Sequence, residues 1–186
     1  QGWIDQLDAG ESRDEVIDGI LNSREYIGKA VNDLYRRYLG RDADQPSLQL
    51  WIDSVQGRSS LEEVAIELMA SSEYASRHPG SSEFVEAVYR DTLGRAPTQQ
   101  EIDVYLANEL VPDDRDGRLR VAVEVIFSGE HDDLQTMANI GAFLHRFATD
   151  QEIADYHAGR VGAEDEIGLI SDILKSDEYY NFDQFV

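Results

Sequence analysis

Two seven-residue strings, Tyr35-Arg-Arg-Tyr-Leu-Gly-Arg41 and Tyr89-Arg-Asp-Thr-Leu-Gly-Arg95, carry the same residue types in the same order, and each is followed at the same offset by an aromatic residue, Trp51 or Tyr105. A second string recurs around them. Ser23-Arg-Glu-Tyr26, Ser71-Ser-Glu-Tyr74, Ser128-Gly-Glu-His131 and Ser176-Asp-Glu-Tyr179 are separated by 48, 57 and 48 residues. Such spacings belong to helical units that bury their apolar faces against themselves and their neighbours. A catalytic centre is a single constellation of unlike residues, so repetition directs the functional reading toward binding or assembly.

Each full unit reads as three helices. Helix A places Ile27, Val31, Leu34, Tyr35 and Tyr38 at helical spacing and ends at Gly40; Phe84, Val85, Val88, Tyr89 and Leu93 do the same before Gly94. Helix B carries Leu48, Leu50, Trp51 and Val55, then Ile102, Tyr105 and Leu106. Helix C carries Leu61, Val64, Ala65, Leu68 and Met69, matched by Leu119, Val121, Ala122, Val125 and Ile126. Ser12, Ser60, Thr98 and Thr149 each precede a glutamate by three residues, the capping-box pattern. The Ser-x-Glu-Tyr string fits the join between helix C and the next helix A, with serine as N-cap and glutamate in the first turn, where the helix dipole favours it.

The expected organisation is a partial unit over 1–25, full units over 26–73 and 74–130, and a diverged unit with a tail over 131–186. The last unit reads as having lost Leu-Gly-Arg, because Phe143-Leu-His-Arg-Phe-Ala148 runs directly into Thr149. No sustained alternation of apolar and polar residues marks a strand, so the fold class is all-α, with about ten short helices.

Composition narrows the partners. With 38 acidic and 16 basic residues the formal charge is −22, which disfavours nucleic acid and anionic membrane surfaces, since both are bound by clustered Lys and Arg. Only Lys29 and Lys175 are lysines. An acidic, lysine-poor surface suits a salty or extracellular medium, although a GC-rich genome gives the same arginine bias. Cysteine is absent, which removes disulfides and Cys-ligated metals from consideration. No apolar run reaches the roughly 18 residues needed to span a bilayer. The opening Gln1 and the mid-unit look of Trp3 to Gly10 suggest a piece of a longer polypeptide.

On these motifs the unit resembles the bacterial domain-of-unknown-function family 4214: an aromatic helix ending Tyr-x-x-x-Leu-Gly-Arg, a Trp- or Tyr-bearing helix, and a third helix ending near Ser-x-Glu-Tyr. Residues 31–74 match well, and residues 84–131 match with a longer loop at 111–117. The opening segment matches the second half, and residues 140–180 match weakly. Leu93-Gly-Arg-Ala-Pro97 is also similar to the phycobilisome linker signature, but those linkers are basic. The resemblance implies a module of secreted or cell-surface proteins.

Several residues invite a site. Arg41 and Arg95 could clamp a carboxylate or phosphate, but an arginine just past a helix C-cap more readily ties off that helix or pairs within its unit. Trp51, Tyr105 and Tyr156 could stack on sugars, whereas aromatics on the apolar face of a short helix are ordinarily core. Asp113, Asp114, Asp116 and Gly117 suggest a weak calcium loop, yet the EF-hand register fails, and an acidic turn is the plainer reading. His78, His131, His145 and His157 lack a ligand spacing, and no phosphate loop, nucleophile elbow or kinase signature is present. The structural motif residues are therefore Tyr35, Leu39, Gly40, Arg41, Trp51, Tyr89, Leu93, Gly94, Arg95 and Tyr105. The reading is a non-catalytic extracellular or cell-surface scaffold without a cofactor, calcium being the one candidate. Its expected partners are other protein subunits or copies of itself. Recognition of a surface glycan, or an accessory role beside a secreted enzyme, are the alternatives.

Overall fold

The computed structural model describes residues 2–107, 114–160 and 165–182, and among these every regular element is a helix. There are thirteen: α1 (Gly2–Asp8), α2 (Arg13–Leu21), α3 (Arg24–Leu39), α4 (Gln45–Gln56), α5 (Leu61–Ala70), α6 (Ser72–Arg77), α7 (Ser81–Leu93), α8 (Gln99–Ala107), α9 (Arg115–Ile126), α10 (Gly129–Leu144), α11 (Asp150–Arg160), α12 (Glu166–Lys175) and α13 (Asp177–Phe182). The all-α expectation holds. Part of the excess over ten arises at His78-Pro79-Gly80, where proline lacks an N–H to continue the ladder and divides the expected helix A into α6 and α7. Among the described residues no helix is long and apolar enough to cross a membrane.

The local start and stop signals act as the sequence indicates. Ser12 with Glu15 and Ser60 with Glu63 form reciprocal capping boxes at α2 and α5. Thr98 with Glu101 and Thr149 with Glu152 bond the same way before α8 and α11. Ser23, Ser71, Ser128 and Ser176 each accept from the backbone N–H three residues on, at 3.1, 3.2, 3.3 and 3.2 Å. Gly40 and Gly94 end α3 and α7 in the left-handed conformation, with φ of 61° and 69°.

Ile27, Val31, Tyr35, Tyr38 and Leu39 of α3 join α5, α7 and α9 in one large core, centred on the fully buried Tyr74. The Tyr74 ring meets Phe84 and Tyr38 edge-on at 5.7 and 6.3 Å, and its hydroxyl donates to Asp91 at 2.8 Å. A second core gathers Ile140, Leu144, Tyr156, Leu169 and Ile173 from α10, α11 and α12. Two expected core residues are misplaced: Leu50 is 64% and Leu106 37% exposed, and Ile52 is buried in the place of Leu50. Leu48, Trp51, Ile52 and Val55 share a helical face that Leu50 does not.

Helices α5 and α9 pack with the first turn of α9 beside the last turn of α5: Arg118 Nε donates to the Ala70 carbonyl at 3.1 Å, and Arg115 pairs with Glu67 at 2.5 Å. Helices α2 and α12 repeat this pairing. Arg13 donates to the Leu174 carbonyl, Lys175 pairs with Asp18 at 2.6 Å, and Ser171 donates to Asp18 at 2.9 Å. The last long helix thus returns to the first part of the chain.

Candidate functional site

The arginines that follow the left-handed cap residues occupy one geometry three times. Arg41 lies over the Tyr35 ring, 5.3 Å from its centroid, and donates through Nε and Nη2 to both carboxylate oxygens of Glu73 at 2.8 and 2.6 Å. Its Nη1 donates to the carbonyl of the next residue, Asp42, at 3.0 Å. Arg95 lies 5.1 Å from the Tyr89 centroid, grips Glu130 with both bonds at 2.6 Å, and reaches the Ala96 carbonyl at 3.1 Å.

Arg146 is the third. It grips Glu178 at 2.5 and 2.7 Å and reaches the Phe147 carbonyl at 2.9 Å. The Leu-Gly-Arg element is therefore present where the sequence reads as having lost it. Leu144-His145-Arg146 takes its place, with His145 itself in the left-handed region at φ 52°. A histidine at a position that usually demands glycine hid the element, because histidine tolerates this conformation better than most side chains.

Arg95 and Arg146 each hold a second carboxylate, supplied by the capping boxes. Glu101 takes two bonds from Arg95 at 3.1 and 2.8 Å, and Glu152 takes two from Arg146 at 2.9 and 2.5 Å. All five guanidinium N–H donors of each arginine then have an acceptor in the chain itself. Ser47 stands where Glu101 and Glu152 do, so among the described residues two Arg41 donors lie outside such bonds. The paired guanidinium holds Glu101 and Glu152 down at about 2, and lowers Glu73, Glu130 and Glu178 as well. The glutamate of Ser-x-Glu-Tyr, read from sequence only as a helix-dipole partner, is thus the receiving end of the clasp. Its distance along the chain, 32 residues in two cases and 35 in the third, gives no local signal.

The aromatic positions turn inward. Tyr105 and Tyr156 are buried, and Trp51 is half-buried with its indole N–H donating to the Tyr35 hydroxyl at 3.1 Å. Tyr105 meets Tyr89 edge-on at 6.2 Å. Leu39 and Leu93 are buried beside them. Of the calcium candidates, Asp113 lies outside the described residues, and Asp114 is engaged as N-cap of α9, accepting from Gly117 N–H at 2.7 Å. Among the described residues no three metal-ligating side chains converge.

Sequence reading missed a polar cleft between the two cores. Two adjoining cavities of about 380 and 490 Å³ share Leu34, Arg37, Leu61, Asn139 and Glu166. Glu62 is almost wholly buried at its edge and accepts the Glu166 N–H at 2.9 Å, extending the cap of α12. Burial first, and the Glu62 charge second, raise the Glu166 carboxyl, against the opposing pull of Arg37. The periodicity of α5 and α12 gives no warning of the buried Glu62 and half-buried Glu166 carboxylates, since glutamate in a first turn ordinarily faces water.

Comparison of the chain with known protein families, curated proteins and solved structures finds no match. The family resemblance rests on the motif residues alone.

Proposed function

We propose that this chain is a non-catalytic scaffold built from tandem helical units, a segment of a larger secreted or cell-surface polypeptide that assembles with other protein subunits or with copies of itself. The observation that supports it most is the clasp. The most specific motif of the sequence directs its arginines onto glutamates of the same chain, and for Arg95 and Arg146 every guanidinium donor is taken up in that way. A motif used to fasten each unit is what a modular building block needs. An arginine committed to two carboxylates has no donor left for a ligand.

The formal charge of −22 keeps such a scaffold soluble at high local concentration and repels unrelated acidic surfaces. The inward-turned Trp51, Tyr105 and Tyr156 weigh against a stacked-sugar surface at those positions. The resemblance to secreted and surface modules points the same way as the acidic, lysine-poor composition. Sedimentation of the intact polypeptide purified from its source tests the proposal: polymeric or multi-subunit particles are expected, and a monodisperse monomer at all concentrations overturns it.

A further inference from the structure

The three clasps share a register that extends along the helices on either side of them. A tyrosine stands six residues before Arg41 and before Arg95, and the guanidinium lies over its ring at 5.3 and 5.1 Å. Ten residues after each of these arginines comes a second aromatic that meets the first: the Trp51 indole N–H donates to the Tyr35 hydroxyl, and Tyr105 approaches Tyr89 edge-on. The third unit keeps the second aromatic as Tyr156 but has Ile140 in the place of the tyrosine. Among the described residues Arg146 lies over no ring.

A cavity of about 280 Å³ opens at this place. Ile140 and Tyr156 line it together with Glu152 and Glu178, the two carboxylates that Arg146 holds, and it runs inward to Leu169 and Ile173 of the second core. The second unit has a wider groove, about 640 Å³, beside Tyr105 and Glu124, but Tyr89 lines that groove and the counterparts of the two inner residues, Val121 and Val125, do not. The tyrosine ring closes the core in the second unit, and the shorter isoleucine leaves it open in the third.

We propose that this cavity is a binding site for a small phenol that carries no negative charge. The chain supplies the template, because in the two other units a phenol ring fills the place between the arginine and the second aromatic. An apolar cavity of roughly 150 Å³ already holds benzene, so the space here takes one phenol ring. Leu169 and Ile173 give that ring apolar contacts, and Tyr156 pairs with it as Tyr105 does with Tyr89. Arg146 needs no free donor for this, since cation–π attraction acts through the guanidinium plane while its five N–H groups stay on their carboxylates and carbonyl. The cavity also selects by charge: the exposed Asp155 and Asp172 line it, and with the formal charge of −22 they repel an anionic phenol and attract a cationic one. The site goes beyond the scaffold reading and does not depend on it.

Tyramine and 4-hydroxyphenylacetate, phenols of similar size and opposite charge, test the proposal when titrated into the full chain while the methyl resonances of Leu169 and Ile173 are followed. Saturable shifts with a Kd of about 0.1–1 mM are expected for tyramine, the range open to so small a ligand, with the acid about tenfold weaker. An Ile140→Tyr chain carries the ring itself and should bind neither, its folding being checked by circular dichroism. Should that chain not fold, one carrying Asp155→Asn and Asp172→Asn, changed only at exposed positions, decides in its place: tyramine should bind about threefold more weakly, and the preference over the acid should shrink. Shifts that do not saturate by about 10 mM, an acid that binds as tightly as the amine, or a folded Ile140→Tyr chain that binds as the wild type does overturns the proposal, as do unchanged affinities in the doubly substituted chain.

Discussion

Replacing Arg95 by alanine removes the largest clasp. Two bidentate carboxylate contacts, one carbonyl contact and the stacking on Tyr89 are lost together. The Arg95 side chain is 37% exposed, so the vacuum strength of these bonds is irrelevant and solvent screening sets the scale. At up to about 1 kcal/mol per exposed bidentate pair, with a few tenths for the stacked ring, the loss comes to roughly 2 kcal/mol. For a chain of this size that is a fall of about 4 to 8 °C in the melting midpoint. Arg41→Ala, with one carboxylate, should lose about half as much. The effect also has a pH signature. Glu101 drops from its ordinary 4.5 to about 2 in the folded state. A depressed carboxylate contributes stability that is complete above the unfolded value and disappears as pH falls through the folded one. The gap between wild type and Arg95→Ala should therefore be full above pH 4.5, close between there and about 2, and shrink in ~1 M salt. Melts followed by far-ultraviolet circular dichroism measure it. A gap no larger than that of an Arg24→Ala control, or one that is flat with pH, would refute the clasp as a stabilising device.

Other substitutions test separate parts of the structure. His145→Gly relieves a side chain held at φ 52° and should raise stability by about 0.5–1 kcal/mol; a lower midpoint would show that the imidazole contributes more than its backbone costs. Tyr74→Ala empties the middle of the large core and should cost about 3–5 kcal/mol, read by urea denaturation. Phe147, 96% exposed beside Arg146, should tolerate serine within about 0.5 kcal/mol. Glu166→Gln should stabilise the chain at pH 7 and lose that advantage toward acid, because burial raises the Glu166 carboxyl and protonation then does what the amide does.

Much of this fold is written locally. Gly40 and Gly94 announce helix ends because few other residues take the left-handed turn, and the serine caps announce the starts. The third helix end escaped for the same reason in reverse, since His145 adopts the turn without being glycine. Ile52 was overlooked in favour of Leu50 because two apolar residues so close in sequence differ only in which side of α4 they occupy. The pairing of Arg41, Arg95 and Arg146 with glutamates 32 or 35 residues away, the burial of Glu62 beside the half-buried Glu166, and the return of α12 to α2 depend on how helices stack, which no short window of sequence encodes.

The recurring arginines act as fasteners within the chain rather than as receptors. The unfolding midpoint of a chain carrying Arg41→Lys, Arg95→Lys and Arg146→Lys tests it, because lysine preserves the net charge but cannot grip carboxylates with a planar fork. A midpoint lower by about 5 °C or more is predicted, and a midpoint equal to that of the wild type would contradict the claim.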